Sequence, residues 1–191
     1  MQILQLDDNN LTSFPVEITQ LSRLIYLDLY RNRIANLPAE IRQLSQLEEL
    51  GLENNKLTNL PAEIGQLSQL SELSLYENQL TSLPTELTQL SQLLKLNLDC
   101  NQLTSFPTGI TQLSRLRRLG LSCNRIASLP IEIKQLSQLE ELYLEGNKLT
   151  NLPAEIGQLP QLKMLDLKDN KLAGVCEGVG WLLRQRCTIL T

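Results

Sequence analysis

The chain has no histidine, and its aromatic content is low, with one tryptophan, two phenylalanines and four tyrosines among 191 residues. The first absence removes the commonest general base and metal ligand, which excludes every catalytic triad that depends on histidine. The second leaves a core to be filled by aliphatic side chains. No apolar run is long enough to span a bilayer, and residues 1–20 lack the basic and apolar succession of a secretory signal. A cytoplasmic location is therefore expected, with secretion lacking a cleaved signal as the alternative. The chain carries a net charge of −4 and a pI near 5.0, and no basic stripe with interleaved aromatics occurs. Binding to nucleic acid or membrane is not expected, and a partner of basic character is.

What is present is a period. Asparagine recurs every 23 residues, at Asn9, Asn32, Asn55, Asn78, Asn101, Asn124, Asn147 and Asn170, inside a frame LxxLxLxxNxLxxLPxEIxQLSQ. The frame is nearly intact at Leu47, Leu50, Leu52, Asn55, Leu57, Leu60, Pro61, Ile64 and Leu67. Over about residues 1–175 this pattern resembles the leucine-rich repeat family, in its 23-residue LPxEIxxL class. Similar arrays occur in bacterial leucine-rich repeat proteins and in the repeat domains of Ras-regulating and Roco-type proteins. The resemblance implies an α/β fold, a right-handed leucine-rich repeat solenoid with a concave parallel β-sheet and short helical convex segments. It also implies a role in holding protein partners.

The frame has its own physical logic. Leu50 and Leu52 alternate with Glu49, Gly51 and Glu53, a strand period that sends the leucines inward and the others to one open face. A lone strand cannot bury its apolar residues, so neighbours must stack into a continuous core. The asparagine after each strand suits a side-chain amide bonded to backbone groups of its own and adjacent turns. Next come Pro15, Pro38, Pro61, Pro84, Pro107, Pro130 and Pro153, each followed at steps of three by Ile or Leu, as in a short α or 3₁₀ helix. Glu17, Glu40, Glu63, Glu86, Glu132 and Glu155 stand where a carboxylate complements a helix N-terminus.

Residues 1–173 are read as eight repeats, the first partial and without a polar cap, and residues 174–191 as a C-terminal cap. In that cap Val175, Val179 and Leu182 continue the convex columns. Trp181, Leu183, Arg184 and Arg186 suggest an amphipathic helix, and Thr188 to Leu190 a short strand. The uncapped first strand invites pairing with another chain, including a homodimer through that edge, or marks missing preceding residues. Cys100 and Cys123 share one column in adjacent repeats, open to three readings: reduced thiols, a disulfide or a soft-metal site. Cys176 and Cys187 could staple the cap.

Comparison of the chain with itself at an offset of 92 residues separates fixed from variable columns. Residues 44–66 match 136–158 at 21 of 23 positions, the exceptions being Gly51 against Tyr143 and Asn54 against Gly146. Residues 21–43 match 113–135 at 15 positions, and five of the eight differences again lie in the strand segment. Duplication of a four-repeat block followed by change on the concave face accounts for this, through drift or through selection. Exposed convex positions such as Glu40 and Gln43 belong to nearly uniform columns, which favours selection.

All four tyrosines, Tyr26, Tyr30, Tyr76 and Tyr143, fall in these variable columns, where a flat amphipathic ring gives contact area at low entropic cost. Asp28, Glu49, Glu53, Glu72, Glu77 and Asp99 make the neighbourhood acidic; Arg31, Lys95, Arg117 and Arg118 add cations, and acids return at Glu140, Glu141 and Glu145. We read these as a partner-binding surface zoned by charge, on a module with no catalytic residues and no cofactor. Carboxylate pairs on an open sheet lack the pocket that glycoside hydrolysis requires. The competing readings are self-assembly through the first repeat and cation binding by the acidic zone with Cys100 and Cys123.

Overall fold

A computed structural model describes residues 2–174, 179, 180, 182 and 187–191. Each 23-residue unit begins with a three-residue strand: β1 (Ile3–Gln5), β2 (Tyr26–Asp28), β3 (Glu49–Gly51), β4 (Glu72–Ser74), β5 (Lys95–Asn97), β6 (Arg118–Gly120), β7 (Glu141–Tyr143) and β8 (Met164–Asp166). A ninth, β9 (Thr188–Leu190), follows from the tail. The nine form one open sheet in sequence order, every pair parallel. Register follows the period, so that Leu27, Leu50, Leu73 and Leu96 are successive partners. At the last step Met164 pairs with Thr188, 24 positions on instead of 23. The cap thus holds one residue more than a repeat yet restores the ladder.

The strands are shorter than the alternating pattern suggested. Glu53 and its column neighbours lie past the strand ends, yet cross-repeat bonds such as Leu52 N–H to the Ser74 carbonyl (2.9 Å) and Asn54 N–H to the Tyr76 carbonyl (2.8 Å) keep the turns stacked. Inside, the leucine columns are almost wholly excluded from water, with Phe14 and Phe106 filling the same core. Continuity of that core is what a single turn of chain could not supply.

The convex segments are 3₁₀ helices, η1 (Val16–Gln20), η2 (Ala39–Gln43), η3 (Ala62–Gln66), η4 (Thr85–Gln89), η5 (Thr108–Gln112), η6 (Ile131–Gln135) and η7 (Ala154–Gln158). Of the two forms that steps of three allow, this one has a clear cause. In a 3₁₀ helix residues i and i+3 eclipse, so proline, isoleucine and leucine three apart all face the core. Ile41 N–H accordingly bonds the Pro38 carbonyl at 3.1 Å and Leu44 N–H the Ile41 carbonyl at 3.1 Å. The first-turn glutamates are present, but no side chain caps these helices. With five residues each, they gain their stability from packing instead.

The interior asparagines bond as the ladder required. Asn101 donates from Nδ2 to the Leu75 and Leu98 carbonyls at 2.9 and 3.1 Å, and its Oδ1 accepts the Leu80 N–H at 2.9 Å. Asn9 departs from the expectation of an inward side chain. It is exposed and bonds only its own turn, at the Leu6 and Asp7 carbonyls, because no described turn precedes it.

In the cap Val179, Gly180 and Leu182 are helical, and Val179, Leu182 and Cys187 are buried against the last repeat. Met1, Val175, Cys176, Trp181, Leu183, Arg184 and Arg186 lie outside the described residues.

Candidate functional site

The outward face of the sheet is built from three side-chain columns, and stacking places each residue beside the one 23 positions away. The first column runs Ile3, Tyr26, Glu49, Glu72, Lys95, Arg118, Glu141, Met164. The second runs Gln5, Asp28, Gly51, Ser74, Asn97, Gly120, Tyr143, Asp166. Past the strand ends a third column holds Tyr30, Glu53, Tyr76, Asp99, Ser122 and Glu145.

Adjacency along the columns changes the charge map. Lys95 Nζ meets Glu72 Oε1 at 2.6 Å, Arg118 meets Glu141 at 3.3 Å, and Arg117 meets Glu140 at 3.3 Å, with Lys163 bonded to the same Glu140. The cations that the zoned reading placed at Lys95, Arg117 and Arg118 are therefore not a free positive zone: each of these side chains is paired with an acid one repeat away. Arg31 is likewise paired, with Asp8 at 3.3 Å. These are exposed pairs, weak as sources of stability but effective in neutralising the face locally. Lys163 holds the Glu140 carboxyl below its usual range. By contrast, Asp28, Glu49, Glu53, Glu77, Asp99 and Glu145 have no ion pair among the described residues.

The tyrosines are held by this chemistry. Tyr76 donates its hydroxyl to Glu77 Oε1 at 2.8 Å, and that bond, followed by burial and by the nearby Cys100 thiol, pushes its pKa up to about 12. The other Glu77 oxygen accepts from Asn54 Nδ2 at 2.7 Å. Tyr143 donates to Glu141 at 2.8 Å and lies under the Arg118 guanidinium, 5.0 Å from the ring centroid. Tyr26 reaches Asp28 at 3.4 Å, and burial first, then that carboxylate, raises its hydroxyl pKa. Tyr30 is the most open of the four, with Arg31 5.6 Å from its ring centroid. The rings divide into two groups: Tyr26, Tyr30 and Tyr76 on the acidic half, and Tyr143 beyond it.

Between them lies a depression of about 240 Å³ lined by Glu53, Glu72, Asn97, Asp99, Arg118 and Tyr143 among others, with Gly120 in its floor. A Cβ at Gly120 would stand 2.7 Å from Asp99 Oδ1, so the glycine leaves room for that carboxylate. Asp99 accepts the Ser122 N–H at 2.6 Å; burial raises its pKa, opposed by this bond and by Arg118. Gly51 makes similar room beside Asp28 and Glu53. The role of these two glycines was missed in the sequence. For Gly51 the signal was available, a small residue one repeat after Asp28 in the same column; Gly120 follows Asn97 there, and its neighbour Asp99 comes from the adjacent column.

A second omission concerns the position before each asparagine. Asp8, Arg31, Asn54, Glu77, Cys100, Cys123 and Asp169 all have φ between 51° and 55°, and Gly146 has 67°. The turn demands the left-handed region there, which Asn, Asp and Gly tolerate best. Four members of the column are of those types, and that pattern was the sequence signal. Among the described residues no group of three or more His, Cys, Asp or Glu side chains is placed to hold a metal, and no helix is long and apolar enough to cross a membrane. Cys100 and Cys123 are free thiols, the first half-buried and the second exposed.

One strand and one 3₁₀ turn per 23 residues, an asparagine ladder beneath and an open polar sheet above define a solenoid repeat protein. Family models agree over most of the chain, one described as a leucine-rich repeat region across residues 1–105 and one as a leucine rich repeat across 114–172. The chain belongs to the leucine-rich repeat family. Among solved structures it is similar to a leucine-rich repeat protein of Leptospira interrogans, at 41% identity and a TM-score of 0.90, covering 100% of this chain and 54% of that one. It is similar to the plant peptide hormone receptor RGFR1, solved in complex with RGF2, at 30% identity and a TM-score of 0.87, covering 99% of this chain and 32% of that one. Internalin C2 of Listeria monocytogenes follows at 28% identity and a TM-score of 0.84, covering 99% of this chain and 78% of that one. The chain thus spans about half the length of the Leptospira protein and a third of the plant receptor. No curated protein matches it.

Proposed function

We propose that the chain is a non-catalytic module that docks a protein partner on the concave face of its sheet, through a basic surface of that partner. The carrying observation is the charge left after neighbouring columns have paired. Lys95, Arg117 and Arg118 are neutralised within the face, whereas Asp28, Glu49, Glu53 and Glu77 are left without an ion pair among the described residues and lie with Tyr26, Tyr30 and Tyr76 on the same half of the sheet. The Tyr26 and Tyr76 rings, held by carboxylates, and the more open Tyr30 beside them supply contact area, and the unpaired acids set orientation by accepting Arg or Lys. The plant receptor solved with RGF2 lends support by analogy of fold.

Affinity capture with the intact chain tests this reading. Tyr30→Ala and Tyr76→Ala are expected to weaken retention of the captured partner at least tenfold, in the range of an interface anchor worth about 1.4 kcal/mol or more, with circular dichroism unchanged. Glu40→Ala and Gln43→Ala on the convex side should leave it unaltered. Retention undiminished by either tyrosine variant would remove the concave assignment.

A further inference from the structure

We propose that Cys100 and Cys123 form a two-thiol binding site for trivalent arsenicals carrying one carbon substituent, bridging the turns of the fifth and sixth repeats. The two residues occupy the same column one repeat apart, in the same left-handed conformation with φ of 55° and 53°. Their backbones are tied into the stack on successive rungs, Cys100 N–H to the Ser122 carbonyl at 2.8 Å and Cys123 N–H to the Glu145 carbonyl at 2.7 Å. Identical backbone geometry on adjacent rungs makes the two Cα–Cβ bonds parallel, so both thiols leave the stack on the same side. Both are free, and Cys123 is exposed. The next position in the column is Gly146, where even an added Cβ would lie 3.6 Å from Cys123 Sγ, so the pair is open on that side.

Geometry selects among the possible occupants. Neighbouring strands are held about 4.8 Å apart, whereas a disulfide brings its Cβ atoms to roughly 3.5–4.5 Å. The backbone spacing lies within the Cα range of disulfides, so direct S–S bonding would instead require the two parallel Cα–Cβ bonds to tilt toward each other. A single bridging atom with bonds of about 2.3 Å, the metal–thiolate scale, leaves the sulfurs roughly 3–4 Å apart and the backbone in place. No third His, Cys, Asp or Glu ligand is arranged with the pair among the described residues, which disfavours a tetrahedral cation and suits an electrophile that brings its own third substituent.

Proton balance points the same way. Burial, then the neighbouring Cys123 thiol, pushes the Cys100 thiol up to about 12, so it keeps its proton at neutral pH. A bare divalent cation must expel both thiol protons to bind. An oxo-arsenical does not: R–As=O and two S–H groups give R–As(S)₂ and one water. Two As–S bonds form, both protons leave with the oxygen, and no oxidation state changes.

Phenylarsine oxide is a direct probe. Titrated into the reduced 191-residue chain and followed by native mass spectrometry, it should give one adduct per chain with loss of one water. Adduct formation should shield Cys100 and Cys123 from iodoacetamide, be reversed by ethanedithiol, and resist a hundredfold excess of 2-mercaptoethanol. Cys100→Ser and Cys123→Ser should each weaken it at least a hundredfold. The proposal is overturned if Cys100 and Cys123 remain alkylatable at saturation, or if the adduct survives in the double serine variant. Neither result bears on partner capture by the tyrosine face.

Discussion

Asn101 bonds four backbone groups drawn from its own turn and the preceding one, and it does so 7% exposed, where water cannot take over. Removing its side chain orphans the Leu80 N–H and leaves the Leu75 and Leu98 carbonyls short of a donor. Each buried loss of this kind costs about 1–3 kcal/mol, so Asn101→Ala is expected to lower unfolding stability by about 2–4 kcal/mol in urea titration. Asn9→Ala, at an exposed position with local bonds only, should shift it by less than about 0.5 kcal/mol. Residues of this kind are readable in the sequence because their role repeats with the period. The left-handed column was readable too, through Asp8, Asn54, Gly146 and Asp169. That Arg31, Glu77, Cys100 and Cys123 adopt the same conformation follows from the turn they occupy, which overrides a preference costing on the order of 1 kcal/mol per residue.

At the scale of the element, the steps of three from proline limited the convex segments to two helix types, and eclipsed packing decided for 3₁₀. Contacts between neighbouring helices were not readable. Gly65 in η3 shares its column with Thr19, Arg42, Thr88, Thr111, Lys134 and Gly157, and most of those positions carry a side chain, so the column does not mark glycine as required. Yet a Cβ there would lie 2.2 Å from the Glu86 carbonyl oxygen of η4, against backbone that cannot rotate away. Gly65→Ala is expected to cost about 1–3 kcal/mol through displacement of η4. Gly109→Ala in η5 meets only the Thr88 methyl at 3.0 Å, which a rotamer change relieves, and its loss should be the smaller of the two. Paired thermal melts of the two variants check the order. Charge pairing across strands belongs to this scale as well. Glu72 with Lys95 and Arg118 with Glu141 were legible as column neighbours in principle, but the zoned reading treated each run of like charge separately and so missed their mutual neutralisation.

For the whole molecule, stability resides in contacts between successive turns, so the array is divisible at its period and nowhere else. Deletion of residues 70–92, one full repeat, should leave a cooperatively melting protein with unchanged circular dichroism per residue. The junction preserves every column and brings Glu49 beside Lys95, replacing the lost pair with Glu72. Deletion of residues 70–81 should abolish cooperative melting, because it sets leucine columns against polar ones. The expected contrast is in the presence of a transition, which differential scanning calorimetry reads directly.

The sequence by itself determined the period, the inward and outward alternation, the asparagine ladder and the tyrosine-bearing columns. In a parallel solenoid each residue's neighbour lies 23 positions on, so one-dimensional spacing already carries the tertiary adjacency. Only the tertiary structure decided which acids of the concave face keep their charge unanswered, where Gly120 admits Asp99, and that Cys100 and Cys123 stand as free thiols on adjacent rungs in one left-handed conformation. Those outcomes depend on rotamers, burial and separations of a few ångströms between stacked turns, and no pattern of residue types along the chain encodes them.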